Sequence, residues 1–421
     1  MHSLTKVALV CLFGTAFSSN AQSQVSGQSP SVEDKQPAVR HQNTLHHPPV
    51  SASKSFGRLG DPINGLNASQ LAAFTEGRDD FETAETIEGG LGPIFNRDSC
   101  VACHKHPTSG GSSPINVTRF GLVTDHHFDP LESLGGSLLQ NHAIDPRIRE
   151  KIPPQANHVS FRNSTPLYGL GLIEAIPEST LLENARKNPG DNIKGRASLV
   201  KDITTNRIMV GRFGWKAQQA TLLAFCADAY VNELGITNRF FPKENAPNGN
   251  QRLLAIFDKV ADPEDQIDPV SGKGDIDRVT DFITLLGPPP SKTLSPSAAA
   301  GRIVFQNLGC ALCHIPSMNT DNRSPIVALR NREVRLYSDL LLHHMGSLGD
   351  GVVQGDASAD EMRTAPLWGL KHSAPYLHDG SAQSYQEAIE QHDGEAKASR
   401  ARYLRLSKIE RDNLNEFLDS I

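Results

Sequence analysis

Apolar positions recur at helical spacing at several points along the chain. Ile276, Val279, Ile283 and Leu286 predict an amphipathic helix stopped by Gly287 and by Pro288, Pro289 and Pro290. Leu414, Phe417, Leu418 and Ile421 predict another, opened by Ser407 with Glu410 three positions on, the pattern of a capping box. A third runs from Ser295 to about Leu308, and the stretch TLLAFCADAYV, residues 221–231, has the same spacing. Strand-like alternation is scarce, REVRLYSDLLLHHMG at 332–346 being its best instance. The pattern predicts a mostly α fold.

Two ends of the chain break this pattern. Residues 1–21 read as a secretory signal, with Lys6 in the positive region, a short apolar core over 7–17 and Ser19-Asn20-Ala21 as the cleavage site. Residues 22–58 are rich in Gln, Ser, Pro and His and poor in large apolar residues, which predicts a flexible lead. His41, His46 and His47 lie there without the acidic or Cys partners that a metal site needs. From residue 59 the chain uses one plan twice. RNSTPLYGLGLIEAIPESTLLENA at 162–185 and RTAPLWGLKHSAPYLHDGSAQSYQEAI at 363–389 share a P-L-aromatic-G-L core after an arginine. Each half then closes on one of the amphipathic helices. The boundaries expected are 59–290 and 291–421, hinged at the proline triplet, with the first half enlarged by about 100 residues, mainly between Ala185 and Ile276.

Upstream of each repeat stands a C-x-x-C-H pentapeptide, Cys100 to His104 and Cys310 to His314. That spacing is the attachment signature of c-type haem: Cys100 and Cys103, or Cys310 and Cys313, bind the vinyl groups, and His104 or His314 ligates the iron. A zinc site would need further Cys residues that the chain lacks. Of six Cys, Cys11 falls in the signal and Cys226 remains, an inert thiol among apolar neighbours. With 421 residues, 38% hydrophobic, the chain is long enough for two packed haem domains. Its net charge of −6, or −7 once Lys6 leaves with the signal, gives no support for nucleic-acid binding. No run beyond the signal is long enough to span a bilayer, so an exported, periplasmic location is expected.

GRFGWKAQQ, ELGITNRFFP, GLGLIEAIPES, YSDLLLHHMG and PYLHDG…EAIEQHDGEA make the chain resemble the di-haem oxidoreductase family, also labelled thiol oxidoreductases, a branch of the bacterial di-haem cytochrome c peroxidases. The resemblance covers roughly 60–421. It implies two tandem cytochrome c-like domains and a sixth ligand on the second iron at His392, with Met345 and Met318 as rivals. It implies that His343 and His378 orient a haem edge or a hydrogen-bond network. For the first iron, His158 lies near the place of a displaceable ligand, while His126, His127 and His142 also follow the motif. Glu233 falls where relatives hold a distal acid. The Trp that those peroxidases place between their haems is missing from IEAIPES, leaving Tyr168 or Trp215 to bridge. A calcium ion between the domains belongs to the same resemblance, although no residue pattern specifies it.

Two functions are compatible with this. In one, a soluble donor such as a small cytochrome or cupredoxin reduces the second haem, which passes electrons to a reactive first haem that reduces hydrogen peroxide. In the other, both irons are six-coordinate and the chain is an electron carrier or an assembly factor for a periplasmic metal or redox system.

Overall fold

The computed structural model describes residues 57–125, 127–260 and 266–421. The signal, the lead up to residue 56, Cys11, the three histidines of the lead and His126 lie outside the described residues. Those described fall within one compact unit, Asn43–Ile421.

The helices form where the apolar spacing places them. Asp275–Leu285 packs along Ala68–Glu82, with Phe282 between Phe74 and Phe81 at ring separations of 5.2 and 4.9 Å. In the second half Pro296–Leu308 packs along Lys408–Leu418, Phe305 lying 5.3 Å from Phe417. Ser295 caps the first of that pair through the Ala298 amide, and Ser407 with Glu410 makes the full capping box on the second.

The repeated core has the same surroundings in both halves. Gly169 and Gly369 both take positive φ, where a side chain is strained. The Gly169 amide donates to the Leu286 carbonyl just past the first closing helix, and the Gly369 amide to Ile421 past the second. The Leu167 amide donates to Gly110, and that of Leu367 to Leu336. The proline triplet lies against both glycines: a Cβ on Gly169 would sit 3.0 Å from Pro288, and one on Gly369 2.7 Å from Pro289.

The strand content departs from the expected mostly α fold. Among the described residues there are four two-stranded ribbons and one four-stranded sheet. The sheet is built on Asn116–Thr124, which pairs antiparallel with His158–Asn163, His127–Asp129 and Leu138–Leu139. Most of these strands are two to four residues long, below the length at which alternation can be read. The longest, Asn116–Thr124, is partly covered on both faces and shows no alternation of burial. REVRLYSDLLLHHMG does contribute strands, the two short ones Glu333–Val334 and Leu342–His344.

One core cluster joins the halves. It holds Phe74, Phe282 and Ile173 from the first and Met318, Leu329, Val334, Leu336 and Leu340 from the second. A smaller one, around Phe305, Tyr403, Leu414 and Phe417, belongs to the second half alone.

Candidate functional site: two cavities with one wall

Each C-x-x-C-H segment opens onto its own cavity. That of the second half, about 280 Å³, is lined by Cys310, Cys313 and His314, and by His392, Met345 and His343. The imidazoles of His314 and His392 are tied in the same way: His314 Nδ1 lies 3.1 Å from the Tyr337 carbonyl and His392 Nδ1 2.8 Å from that of Ala388. With Nδ1–H donated to the backbone, Nε2 is the free, unprotonated nitrogen, the form that ligates a metal. Burial keeps both neutral, and with His392 close by, His314 is pushed down to about 4.

The rival sulfur ligands separate. Met345 lines the cavity, whereas Met318 lies in the shared core, its sulfur 3.4 Å from Asn184 Nδ2. His343 has both ring nitrogens engaged, Nε2 3.0 Å from Asp339 and Nδ1 2.8 Å from Glu395, and also lies 3.8 Å from the sulfur of Cys313. Burial alone would lower its pKa; the hydrogen bonds to Asp339, Cys313 and Glu395 outweigh that and raise it to about 12. Cys313, Asp339 and His343 are near enough to share a metal ion, but a Cys and a His are not calcium's oxygen ligands.

The first cavity, about 210 Å³, is lined by Cys100, Cys103 and His104, whose Nδ1 lies 3.0 Å from the Gly111 carbonyl. Gly111 follows the Gly110 that pairs with Leu167, as Tyr337 follows the Leu336 that pairs with Leu367. The repeated P-L-aromatic-G-L core thus steadies, in each half, the strand of backbone that holds the motif histidine. Here the likeness ends. Among the described residues, no histidine other than His104, and no methionine, lines the first cavity. In their place stand Glu233, Tyr230, Gln218 and the arginines Arg97, Arg119 and Arg162.

Glu233 reaches the cavity because the helix Leu222–Ala229 continues into a π-turn, Tyr230–Leu234. Its carboxyl accepts a hydrogen bond from Asn96 Nδ2 at 2.8 Å. Burial dominates and raises its pKa, favouring the protonated acid. His158 does not line the cavity; its Nε2 lies 2.9 Å from the Asp350 carbonyl. His142 is stacked on Phe95, with Arg97 donating to it at 2.6 Å, and His127 is exposed on its strand. Cys226 is a core residue whose thiol burial pushes up to about 12.

The two cavities share a wall. Asn163, Ser164, Thr165, Gly214, Trp215 and Phe225 line both. Trp215 is gripped from equivalent positions of the two repeats, three residues before each proline. Its indole N–H donates to Asn163 at 2.8 Å, and its own carbonyl accepts from the Arg363 amide at 2.8 Å. The Arg363 guanidinium holds the preceding carbonyl, Gly214, at 2.7 Å. His378 lies edge-on to the indole at 6.3 Å. Tyr168 lines neither cavity and spends its hydroxyl on the Thr108 carbonyl at 3.1 Å.

Residues 143–421, two thirds of the chain, match the family described as "Di-haem oxidoreductase, putative peroxidase". The chain belongs to this di-haem oxidoreductase family. Its match begins after Cys100–His104 and includes the second motif, His392, Glu233 and Trp215. No curated protein matches the chain. Among solved structures, hydrazine synthase of Kuenenia stuttgartiensis is 14% identical, with 94% of this chain and all of that one covered at a TM-score of 0.41. A MauG-like protein associated with microbial copper homeostasis is 18% identical over 64% of this chain and 92% of its own, at 0.31. The diheme peroxidase BthA of Burkholderia thailandensis is 13% identical over 88% of each chain, at 0.37. Scores of this size decide neither fold nor chemistry.

The residues present fit the family's haems. Each cavity pairs an apolar lining with a histidine whose Nε2 is free, and the second keeps a buried arginine Nε without a partner, that of Arg400. Such a cation suits the carboxylates that a haem carries. Among the described residues no helix is long and apolar enough to cross a membrane.

Proposed function

We propose that the chain is an exported, periplasmic peroxidase-like oxidoreductase with two covalent c-type haems. Cys100 and Cys103 attach the first and Cys310 and Cys313 the second, with His104 and His314 on the irons and His392 as sixth ligand of the second. When bound, the haems supply electron storage and the iron at which peroxide is reduced, electrons entering at the second cavity from a small cytochrome or cupredoxin. The observation that carries this reading is the asymmetry of the linings: a second imidazole with a free Nε2 in one cavity, and in the other, among the described residues, no second histidine or methionine.

Reduction of hydrogen peroxide consumes two electrons and two protons and yields two waters. Glu233, whose affinity for a proton burial raises, is suited to take the proton from one peroxide oxygen and pass it to the leaving one, a contribution of typically 10²–10⁴-fold. Trp215 and Phe225, common to both cavities, form the aromatic stretch of the wall that electrons have to cross.

The test is the oxidised spectrum together with turnover. One high-spin and one low-spin haem, with peroxide consumed in the presence of a reductant, is the expected result. Two low-spin haems at every redox level and no turnover would establish the electron carrier instead.

A further inference from the structure

In the sheet that walls the first cavity, Val117 pairs with Arg162 and Arg119 with Ser160. Paired and alternate residues share a face, and Ile115, Val117, Arg119 and Arg162 all line the cavity. Two guanidinium groups therefore project from one sheet face into one cavity.

Their charges are met very differently. Arg162 is buried against Asp350, its Nε and Nη2 both 2.6 Å from one carboxylate oxygen, while Lys216 Nζ lies 2.8 Å from the other. Arg119 has a single long hydrogen bond, 3.3 Å from Nη1 to Ser137 Oγ, and its Nε, shut off from solvent, has no partner. Burial, and then Arg162, pull Arg119 down to about 10, so the site already strains against its charge. Of the acids coupled to it, Glu233 and Asp228 are raised by burial toward the neutral form, and the third, Asp350, is already shared by Arg162 and Lys216. A cation so placed is costly unless an anion joins it.

We propose that Arg119 is the anion-binding residue of the first cavity, taking small monovalent anions such as hydroperoxide, azide or fluoride. The inference rests on the open first iron proposed above. In peroxide reduction Arg119 donates hydrogen bonds to the oxygen that accumulates negative charge as the O–O bond breaks, while Glu233 delivers the proton that turns it into water. The electrons come from the reduced donor.

The experiment titrates the oxidised holoprotein with azide, fluoride and neutral imidazole, following optical spectra in the wild type, Arg119→Gln and Arg119→Lys. In Arg119→Gln, azide and fluoride affinity should fall about 10- to 100-fold, the worth of a hydrogen bond to a charged group, with imidazole affinity close to that of the wild type. Arg119→Lys should recover part of the loss, since it restores charge without the planar fork. Unchanged azide and fluoride affinity in Arg119→Gln would overturn the assignment and leave the guanidinium to a haem carboxylate. Parallel loss of imidazole binding would also overturn it, because a collapsed cavity does not discriminate by charge. If the wild type itself stays low-spin and binds none of the three, the open first iron fails and this inference falls with it.

Discussion

The two cavities are built alike on the side of the motif histidine and differently on the other. On the shared side, C-x-x-C-H, a backbone carbonyl on Nδ1 and the P-L-aromatic-G-L core recur with the same hydrogen bonds. On the other, the second cavity receives His392 from just past the short helix Tyr385–Glu390, while the first receives a strand face and a π-turn bearing Arg119, Arg162 and Glu233. In the proposed reading a duplicated scaffold holds each haem, and what is added beyond it decides whether the iron is closed or reactive.

The largest expected effect removes one side of the comparison altogether. Replacing Cys310 and Cys313 by Ala should leave a denatured chain heavier than its apo mass by one haem, where the wild type carries two. A wild type with a single added haem would end the comparison itself. His392→Ala should make the cavities alike, converting the second iron to high spin with both haems still attached, while Met345→Leu leaves the spectrum as it was. If His392→Ala remains low-spin, the sixth ligand lies elsewhere.

Glu233→Gln tests the opposite side. Peroxide turnover should drop by about 10²–10⁴-fold while the potential of the second haem stays put; full activity would remove Glu233 from the mechanism. The junction between the halves is probed by Asp350→Asn, which leaves the buried Arg162 and Lys216 without their shared carboxylate and should destabilise the protein by about 3–5 kcal/mol in denaturant unfolding. Burial would raise Asp350, but Arg162 and Lys216 outweigh it and hold the carboxyl below its ordinary 3.8. Its contribution is therefore fully present above about pH 4 and lost as pH falls through the lower folded value. The wild type should lose its advantage over Asp350→Asn only in that acid range, and an advantage that instead fades toward alkaline pH would contradict the assignment. The smallest change is Trp215→Leu, which should slow electron exchange between the haems in stopped-flow reduction without altering either ligand set; Tyr168→Phe should leave the rate unchanged.

Helices, motifs and the repeat were legible because each is a local pattern. Ser407 with Glu410 opens its helix as the spacing predicts, and His392 lines the cavity of His314. The wall of the first cavity was not legible. Arg119 is one arginine in a strand without alternation, and only its pairing with Ser160, forty-odd residues away, turns it inward. His158 stands on the same sheet yet turns to the Asp350 carbonyl, which nothing in its neighbours foretells. Trp215 stood level with Tyr168 as a bridge until the tertiary fold placed it against both repeats. No residue type could have signalled it, because Asn163 offers its backbone carbonyl and Arg363 its backbone amide.

The proline triplet lies wedged against Gly169 and Gly369, next to the two closing helices. With Pro288 against one glycine and Pro289 against the other, fixed φ angles stiffen this junction. In the circuit proposed above, where tunnelling would decay steeply with separation, such a spacer would act as a ruler. One residue inserted there is expected to slow interhaem exchange in stopped-flow reduction with both ligand sets kept.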